Sequence, residues 1–320
     1  MAQPDLPPAL LLAYKRVETT KRVIDALREV RVPRVYFAVD GPKKGEESAC
    51  EAVRNLTEKF DWECEVTTHF RHENSGLRDS VESSISWFFS HVDEGVILED
   101  DCLPGSDFFQ FSKELLECYR GDPRVMHISG SSHETSFAPH SYRVSRYPHV
   151  WGWATWSEAW ESYMQSPILT RSCFRNLLLK RFEDHQERTF WLLIFDCVAS
   201  GKIDTWDYSW LFYLMANDGL SITPAENMIS NIGFGELATH TTEEDNPHAN
   251  KPIASIAFPL SHPEKLHIDL TKDREVANGL FRINRSARAG HAKLRLTKFL
   301  PKSTKQWIER HLVNRVGAKA

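Results

Sequence analysis

Short apolar segments alternate with amphipathic segments over the first 130 residues, and this alternation limits the folds that the chain can adopt. Strands alternating with helices of this length indicate a mainly parallel sheet. The apolar runs predict strands over residues 9–16, 34–42, 64–71, 95–101 and 125–131. Helical spacing predicts helices over residues 17–30, 46–60, 81–92, 106–120, about 186–200, and from 207 onward. The sequence therefore predicts an α/β fold with a Rossmann-like, mixed, mainly parallel sheet flanked by helices.

The fourth predicted strand ends in three adjacent carboxylates, Glu99, Asp100 and Asp101. Crowded carboxylates repel one another and raise each other's pKa, so the cluster needs either good solvation or a cation. One interpretation is an acidic turn that stabilises the start of the next helix. Because Ser106 or Asp107 is available to cap that helix, we favour a metal site.

A hard divalent cation such as Mg²⁺ or Mn²⁺ takes one or two protein carboxylates and completes its shell with water and substrate phosphates. In an open α/β sheet, ligands bind beyond the carboxyl ends of the strands, which is where these carboxylates are expected. The pattern is typical of a metal-bridged diphosphate.

The run VILEDDCLPGSDFFQFSKELLECY resembles a segment of N-acetylglucosaminyltransferase I and related GT-A glycosyltransferases, in which a Glu-Asp-Asp motif ends a strand and a Phe-Phe helix follows. YPHVWGWATW resembles the FPGLGW segment of that family, and DTWDYSW resembles its catalytic segment. The strings WGWATW and NIGFGELATHT are also similar to bacterial proteins of this fold class. The resemblance covers about residues 8–242 and implies a GT-A-like fold.

The resemblance implies roles for the acidic residues. Asp101 corresponds to the family's Mn²⁺ ligand, and Asp100 and Glu99 to carboxylates that face the nucleotide-sugar. Asp207 corresponds to the general base that takes the proton of the acceptor hydroxyl, with Asp204 as the nearest substitute. The alternative for Asp207 is an N-cap of the helix that follows it.

The resemblance also implies a nucleotide-binding surface. Asp40 stands where these transferases commonly use an acid to bind uracil or ribose, although an ordinary Asp-Gly-Pro turn needs no ligand. Asn74, Gly76 and Arg78 resemble the nucleotide-contacting loop, in which an arginine offsets diphosphate charge. A surface salt bridge is the alternative for Arg78, and Arg71 is a weaker candidate.

Aromatic residues are concentrated in VWGWATWSEAW. Indole rings form platforms for the apolar faces of sugars, but they also fill cores. We predict that Trp151, Gly152 and Trp153 form walls of the donor or acceptor site. Trp156 and Trp160, four residues apart on a helix, are expected to pack in the core.

His240 follows two glycines in GFGELATHT, where the backbone can bend close to a ligand. Many GT-A enzymes take a second metal or phosphate contact from a C-terminal histidine, so the resemblance implies His240 as a metal ligand. A histidine in a surface loop is the alternative.

The chain is expected to divide into a transferase domain over residues 1–245 and an extension over 246–320. Within the domain, residues 1–105 are expected to form the nucleotide-sugar half and 106–245 the acceptor half.

The charge of the chain is unevenly distributed. Residues 282–320 hold 11 Lys or Arg against one Glu, which gives this tail a net charge of +10. The rest of the chain holds 28 of the 39 basic and 43 of the 44 acidic residues, a net charge of −15. This tail is predicted either to contact an anionic membrane surface peripherally or to be a solvated helix. Nucleic acid is not expected, because the body would repel phosphate.

The N-terminal MAQPDLPP lacks the basic start and apolar core of a signal peptide, and no apolar run reaches the length of a membrane span. The six cysteines form no CxxC pair, which argues against a zinc knot or a disulfide framework. The prediction is a cytoplasmic protein, with peripheral binding at the inner membrane surface as the role of the basic tail.

These observations together predict a Mn²⁺- or Mg²⁺-dependent glycosyltransferase, inverting by resemblance. It would transfer a sugar from a UDP-sugar to a hydroxyl of a glycan or glycolipid. A metal-dependent nucleotidyltransferase or phosphoesterase, and a non-catalytic nucleotide-sugar-binding module, are the alternatives.

Overall fold

An eight-stranded mixed sheet forms the centre of the molecule. The computed structural model describes residues 5–133, 140–166, 171–234, 249–281 and 283. The strand order is β3-β2-β1-β4-β8-β6-β9-β7, and a separate two-stranded sheet pairs β10 with β5. The strands are β1 Ala9–Ala13, β2 Arg34–Val39, β3 Glu65–Phe70, β4 Glu94–Glu99, β5 Cys102–Pro104, β6 Val125–Ser129, β7 Tyr142–Ser145, β8 Trp153–Trp156, β9 Leu220–Pro224 and β10 Ile229–Asn231.

Helices cover both faces of this sheet, as a predominantly parallel α/β sheet requires. They are α1 Val17–Glu29, α2 Glu47–Arg54, α3 Leu77–Phe89, α4 Asp107–Tyr119, α5 Ser157–Gln165, α6 Arg171–Arg181, α7 His185–Ala199, α8 Asp207–Ala216 and α9 Leu270–Leu280. No helix in the described part of the chain is long and apolar enough to cross a membrane.

The sheet confirms the predicted fold class. Strands β3, β2, β1 and β4 are parallel neighbours, β6 is parallel to β9, and β8 and β7 run antiparallel to their partners. Their sequences explain this arrangement, because β1 consists only of buried or half-buried apolar residues, which suits a strand covered on both faces. Helix α1 buries Val23, Ile24 and Leu27 on one side, and each such side chain contributes about 1.5–3 kcal/mol when fully buried.

One predicted helix is divided in the structure. Instead of a continuous helix over residues 46–60, α2 ends at Arg54 and a 3-10 helix follows over Asn55–Lys59. The Thr57 hydroxyl donates to the Arg54 carbonyl oxygen at 2.7 Å. Such a side-chain bond competes with the regular helical ladder, which accounts for the tighter turn.

The start of α4 also differs from expectation. Ser106 occupies the N-cap position, but its side chain makes no capping hydrogen bond. Asp107 Oδ2 instead accepts a hydrogen bond from the Ile256 N–H at 2.9 Å. This acid therefore attaches a distant segment of the chain to α4.

Residues 249–281, which lie in the predicted C-terminal extension, pack against the body of the protein. Leu260 is a member of the main core cluster, and α9 begins at the N-cap Asp269, whose side chain accepts two backbone N–H bonds. Asp273 is 1% exposed and contacts Arg143 Nη1 at 2.6 Å and Ser145 Oγ at 2.7 Å. A buried charge paired in this way fixes α9 on β7.

One sheet also joins the two predicted halves of the transferase domain, since β4 pairs with β8.

The cysteines whose side chains are described are free thiols. They range from buried through half-buried to exposed: Cys50 and Cys102 are buried, Cys64 and Cys197 half-buried, and Cys118 exposed.

Candidate active site

The acidic cluster lies where three parallel strands end side by side. Strands β2, β1 and β4 are adjacent, with Ala13 paired to Val39 and Leu12 paired to Glu99. The residues that follow these strands therefore meet at one edge of the sheet. This edge, beyond the carboxyl ends of the strands, is where open α/β sheets bind ligands.

Arg16, which the sequence analysis did not single out, lies between two of the three acids. Its Nη1 is 2.8 Å from Asp101 Oδ2, and its Nη2 donates to Asp100 Oδ1. The Tyr14 backbone N–H also points to Asp100 Oδ2, at 3.4 Å. The sequence signal that could have identified Arg16 was its position at the end of the predicted strand over residues 9–16. Asp40 and Glu99 also lie at the ends of predicted strands.

One guanidinium does not balance the negative charge at this edge. Burial, reinforced by the neighbouring Asp101 and Asp100, raises the pKa of Glu99 to about 8. Burial also raises the pKa of Asp100 to about 6, with Arg16 opposing the shift and Asp101 adding to it. The Glu99 carboxylate makes no hydrogen bond or ion pair with the side chains of the described residues. The cluster therefore retains protons near neutral pH unless further positive charge arrives.

The donor set fits a hard divalent cation. Its atoms are carboxylate oxygens, the ligands that Mg²⁺ and Mn²⁺ prefer, and its charge exceeds what Arg16 compensates. The Asp101 side chain is 14% exposed and that of Asp100 4%, so Asp101 is the more accessible carboxylate. Within the described ranges no group of three or more His, Cys, Asp or Glu side chains is arranged to hold a metal ion by itself.

Gly233 covers the acidic cluster on another side. The Ile232 N–H donates to the Asp101 carbonyl oxygen at 2.8 Å, which brings the following backbone over the acid. A Cβ atom at Gly233 would overlap Asp101 Oδ2 and Arg16 Nη1. The approach of this glycine-containing segment to a ligand stays a prediction; in the structure Gly233 approaches Asp101 and Arg16. His240, the predicted second metal ligand, lies outside the described residues.

Asp40 organises the loop that follows β3. Its Oδ2 accepts a hydrogen bond from Asn74 Nδ2 at 2.8 Å, and its Oδ1 accepts one from the Gly41 N–H at 2.8 Å. Asn74 Nδ2 also donates to the Gly41 carbonyl oxygen, at 3.0 Å. A Cβ at Gly41 would overlap the backbone of Glu73. Both Asp40 oxygens are therefore used to hold this turn, which favours the structural interpretation for that residue.

The next two predicted nucleotide contacts lie at the start of α3. Gly76 is the N-cap with φ +84°, a conformation that favours glycine, and a Cβ there would lie 3.5 Å from Asp204 Oδ2. Arg78 is 41% exposed and pairs with Glu82 at 3.2 Å. The surface salt bridge considered for Arg78 is thus present, and its role toward a diphosphate stays a prediction.

Asp207 begins α8 on the other side of the acidic cluster. Its Oδ1 accepts a hydrogen bond from the Tyr208 N–H at 2.8 Å and another from the Thr205 hydroxyl. The N-cap position itself belongs to Trp206. The negative charge of Asp207 is the smallest of the causes that raise the pKa of Glu99, so Asp207 lies close enough for the two charges to interact. Asp207 is only half-buried and also lines a cleft.

This cleft, referred to below as the Asp207 cleft, has a cavity volume of about 60 Å³. Its lining residues are His133, Pro148, His149, Val150, Trp151, Asp207, Tyr208, Leu211, Leu280 and Phe281. Trp151 is half-buried, with its ring centroid 5.4 Å from that of His133 and 6.0 Å from that of Phe234. The sequence analysis missed both His133 and the two C-terminal residues of this lining.

The other residues of the predicted aromatic wall serve the core instead. Trp153 is 1% exposed and stacks on His127 and Trp206, with centroid distances of 4.8 and 5.6 Å. The prediction that Trp153 forms a wall of the site is corrected accordingly. Gly152 has φ +63°, and a Cβ there would overlap Ile229, so its role is a close packing contact. Trp156 and Trp160 are buried as predicted, but only Trp160 is on a helix, because Trp156 is the last residue of β8.

The shifted pKa values predict how the metal-free protein responds to pH. A carboxyl with a raised pKa binds more protons in the folded than in the unfolded state, between about 4.3 and 8 for Glu99. Stability is therefore expected to fall as the pH rises through this range. In Glu99→Gln much of this fall should disappear, because the substituted amide does not titrate. Calorimetric scans in EDTA from pH 5 to pH 8 measure the effect.

Glu94→Gln is the matched control, since Glu94 lies at the opposite end of β4 and pairs with the exposed Arg120. Its pH profile should follow that of the wild type. Parallel profiles for wild type and Glu99→Gln would contradict the prediction.

No protein-family model matches the chain, and no curated protein matches it. Among solved structures, a mannosyltransferase from Pyrobaculum calidifontis, solved with GDP-mannose and Mn²⁺, is 12% identical with a TM-score of 0.36, and the match covers 67% of this chain and 69% of that one. HddC from Yersinia pseudotuberculosis is 11% identical with a TM-score of 0.30, covering 48% and 77% of the two chains. A 4-diphosphocytidyl-2C-methyl-D-erythritol synthase from Anaerococcus prevotii is 11% identical with a TM-score of 0.32, covering 51% and 77%. Likeness at this level does not establish a shared activity, so the function is inferred from the residues of this chain.

Proposed function

We propose that the protein is a metal-dependent glycosyltransferase that uses a nucleotide-diphosphate sugar, with a UDP-sugar as the first candidate. The observation that carries this proposal is a carboxylate cluster whose charge Arg16 does not balance, with Asp207 close enough for its charge to act on Glu99. The raised pKa of Glu99, caused first by burial and then by its acidic neighbours, expresses the same excess of negative charge. The similarity of VILEDDCLPGSDFF to the Glu-Asp-Asp segment of N-acetylglucosaminyltransferase I supports it.

In this proposal Asp101 is the metal ligand, and Asp100 and Glu99 face the ribose and sugar of the donor. Mn²⁺ or Mg²⁺, when bound, supplies positive charge for the diphosphate. Arg16 holds Asp100 and Asp101 in place through its two nitrogens. Arg78 and Asn74 remain candidates for the nucleotide side of the site.

Asp207 is proposed as the general base of an inverting transfer. Its carboxylate accepts the proton of the acceptor hydroxyl while that oxygen forms a bond to the anomeric carbon. The bond between the anomeric carbon and the phosphate oxygen breaks in the same displacement, and the nucleoside diphosphate leaves. The hydrogen bonds from Tyr208 and Thr205 fix one oxygen of this carboxylate and orient the side chain.

The acceptor is proposed to be a hydroxyl of a glycan or glycolipid. The basic segment 282–320 would bring the enzyme to an anionic membrane surface in this scheme. Residues 284–320 and His240 lie outside the described residues, so both roles stay predictions from sequence. Equal binding to anionic vesicles by the full chain and by a chain ending at residue 281 would remove the membrane role.

A nucleotidyltransferase would also use clustered acids and a divalent cation. Such an enzyme binds a nucleoside triphosphate, whose additional negative charge requires additional cationic side chains. The two proposals differ in the substrate that each requires, and the experiment below separates them by that difference.

The experiment that tests the proposal measures thermal stabilisation by a panel of nucleotide-sugars. The panel contains UDP-, GDP- and dTDP-sugars, and each is measured with Mn²⁺ and with EDTA. We expect one donor to raise the denaturation temperature only when Mn²⁺ is present. Nucleoside triphosphates with sugar 1-phosphates form the second arm. Stabilisation in that arm alone, with release of pyrophosphate, would replace the proposal by the nucleotidyltransferase alternative.

A further inference from the structure

The Asp207 cleft differs chemically from the acidic edge beside it. Apart from Asp207, His133 and His149, its lining consists of aliphatic and aromatic side chains together with Pro148 and Tyr208. A volume of about 60 Å³ corresponds to space for roughly four waters, at 10–15 Å³ each. Asp207 is thus a carboxylate beside a small, mostly apolar space.

The C-terminal helix supplies one wall of this cleft. Leu280 and Phe281 stand at the end of α9, and the Phe281 ring packs against Trp191 with a centroid distance of 5.0 Å. Leu280 lines the cleft but belongs to none of the core clusters formed by the described residues. Asp273, buried against Arg143, fixes α9 in this position. A half-exposed leucine held beside a carboxylate offers an apolar contact to a ligand.

We propose that the Asp207 cleft is the acceptor subsite, and that it selects a glycoside whose aglycone is apolar. The inference rests on the proposed function, because it uses Asp207 as the base for the acceptor hydroxyl. An alkyl or aryl group in the cleft removes apolar surface from water, worth about 25 cal/mol per Å². A fully hydroxylated sugar ring in the same place would also set hydroxyls against the aliphatic and aromatic side chains of the lining, and each hydroxyl buried there without a partner is costly.

Binding of simple glycosides tests this assignment without relying on activity. The probes are phenyl and methyl β-glycosides of glucose, galactose, mannose and N-acetylglucosamine, titrated calorimetrically into the full chain. For at least one sugar, we expect the phenyl glycoside to bind about tenfold more tightly than the methyl glycoside. Free phenol is the probe for apolar binding alone and should bind more weakly than that phenyl glycoside.

Leu280→Ser should reduce this preference to less than about threefold, because it removes the apolar wall without entering the core. Leu270→Ser is the matched control, since Leu270 is 55% exposed at the other end of the same helix and does not line the cleft. It should keep the preference of the wild type. Both variants should retain the wild-type denaturation temperature within a few degrees.

Three results would overturn the proposal: no phenyl preference with any of the four sugars, equal binding of phenol and phenyl glycosides, or the same loss in both leucine variants. The nucleotide-sugar panel separates this outcome from failure of the transferase function. Mn²⁺-dependent donor binding without a phenyl preference removes only the acceptor assignment. A phenyl preference without any donor binding removes the transferase and leaves an apolar glycoside site.

Discussion

Replacement of Asp101 by asparagine is expected to lower sugar transfer by at least about a thousandfold, equivalent to about 4 kcal/mol of transition-state stabilisation. Of the two acids that Arg16 contacts, Asp101 has the more exposed side chain and is the proposed metal ligand. An amide oxygen is a weaker ligand and carries no charge to attract the cation. Steady-state transfer assays with saturating donor and Mn²⁺ measure the loss.

The same variant should lose the Mn²⁺-dependent stabilisation by the donor while remaining folded. In metal-free buffer its denaturation temperature should equal or exceed that of the wild type, because one of three crowded carboxylates has been neutralised. Asp93→Asn is the control, since Asp93 is exposed just before β4, at the strand's other end. Wild-type donor affinity and turnover in Asp101→Asn would refute the metal-ligand assignment and return the three acids to an acidic turn.

Asp207→Asn is expected to reduce the rate of transfer by about 10²–10⁴-fold, the usual contribution of a positioned general base. Donor binding should be unchanged, because the proposal assigns Asp207 to the acceptor hydroxyl and not to the metal or the nucleotide. The asparagine side-chain oxygen can still accept the Tyr208 N–H bond that Asp207 Oδ1 accepts, so the start of α8 should be preserved. Rate constants from single-turnover assays, together with donor affinities, separate the two effects.

Asp204→Asn is the matched comparison for the base. Asp204 is exposed and three residues earlier, with its Oδ2 close to Gly76 on the nucleotide loop. We expect a change below about threefold in the transfer rate. If Asp204→Asn were the variant with the large loss and Asp207→Asn were active, the base would be Asp204 and Asp207 would be a residue that only begins the helix.

Local sequence pattern determined much of the fold. The apolar runs of β1, β2 and β4 and the helical spacing of α1 identified these elements, because burial on both faces or on one stripe leaves a readable periodicity. The packing role of Trp160 followed in the same way. The division of the predicted helix over residues 46–60 was not visible in the periodicity. It accompanies the hydrogen bond of a single side chain, the Thr57 hydroxyl.

Local sequence pattern predicted only part of the candidate site. Asp101 and its neighbours were visible as a strand end rich in acids, whereas Arg16, which contacts them, lies 84 residues from Asp100. Trp153 was assigned to a wall of the donor or acceptor site because it lies in an aromatic-rich segment, and indole rings either bind sugars or fill cores. Its burial depends on His127 and Trp206, which reach it from other elements.

The sequence by itself determined the α/β class and the acids at the end of β4, because each depends on residue types at short spacing; the two candidate bases came from the family resemblance of DTWDYSW. Only the tertiary structure decided that Arg16 pairs with two of the acids, that burial and these neighbours raise the pKa of Glu99, and that Leu280 and Phe281 complete a cleft at Asp207. Charge balance and cavity shape depend on distances between residues far apart in the chain, and those distances are set by the packing of the whole sheet and its helices.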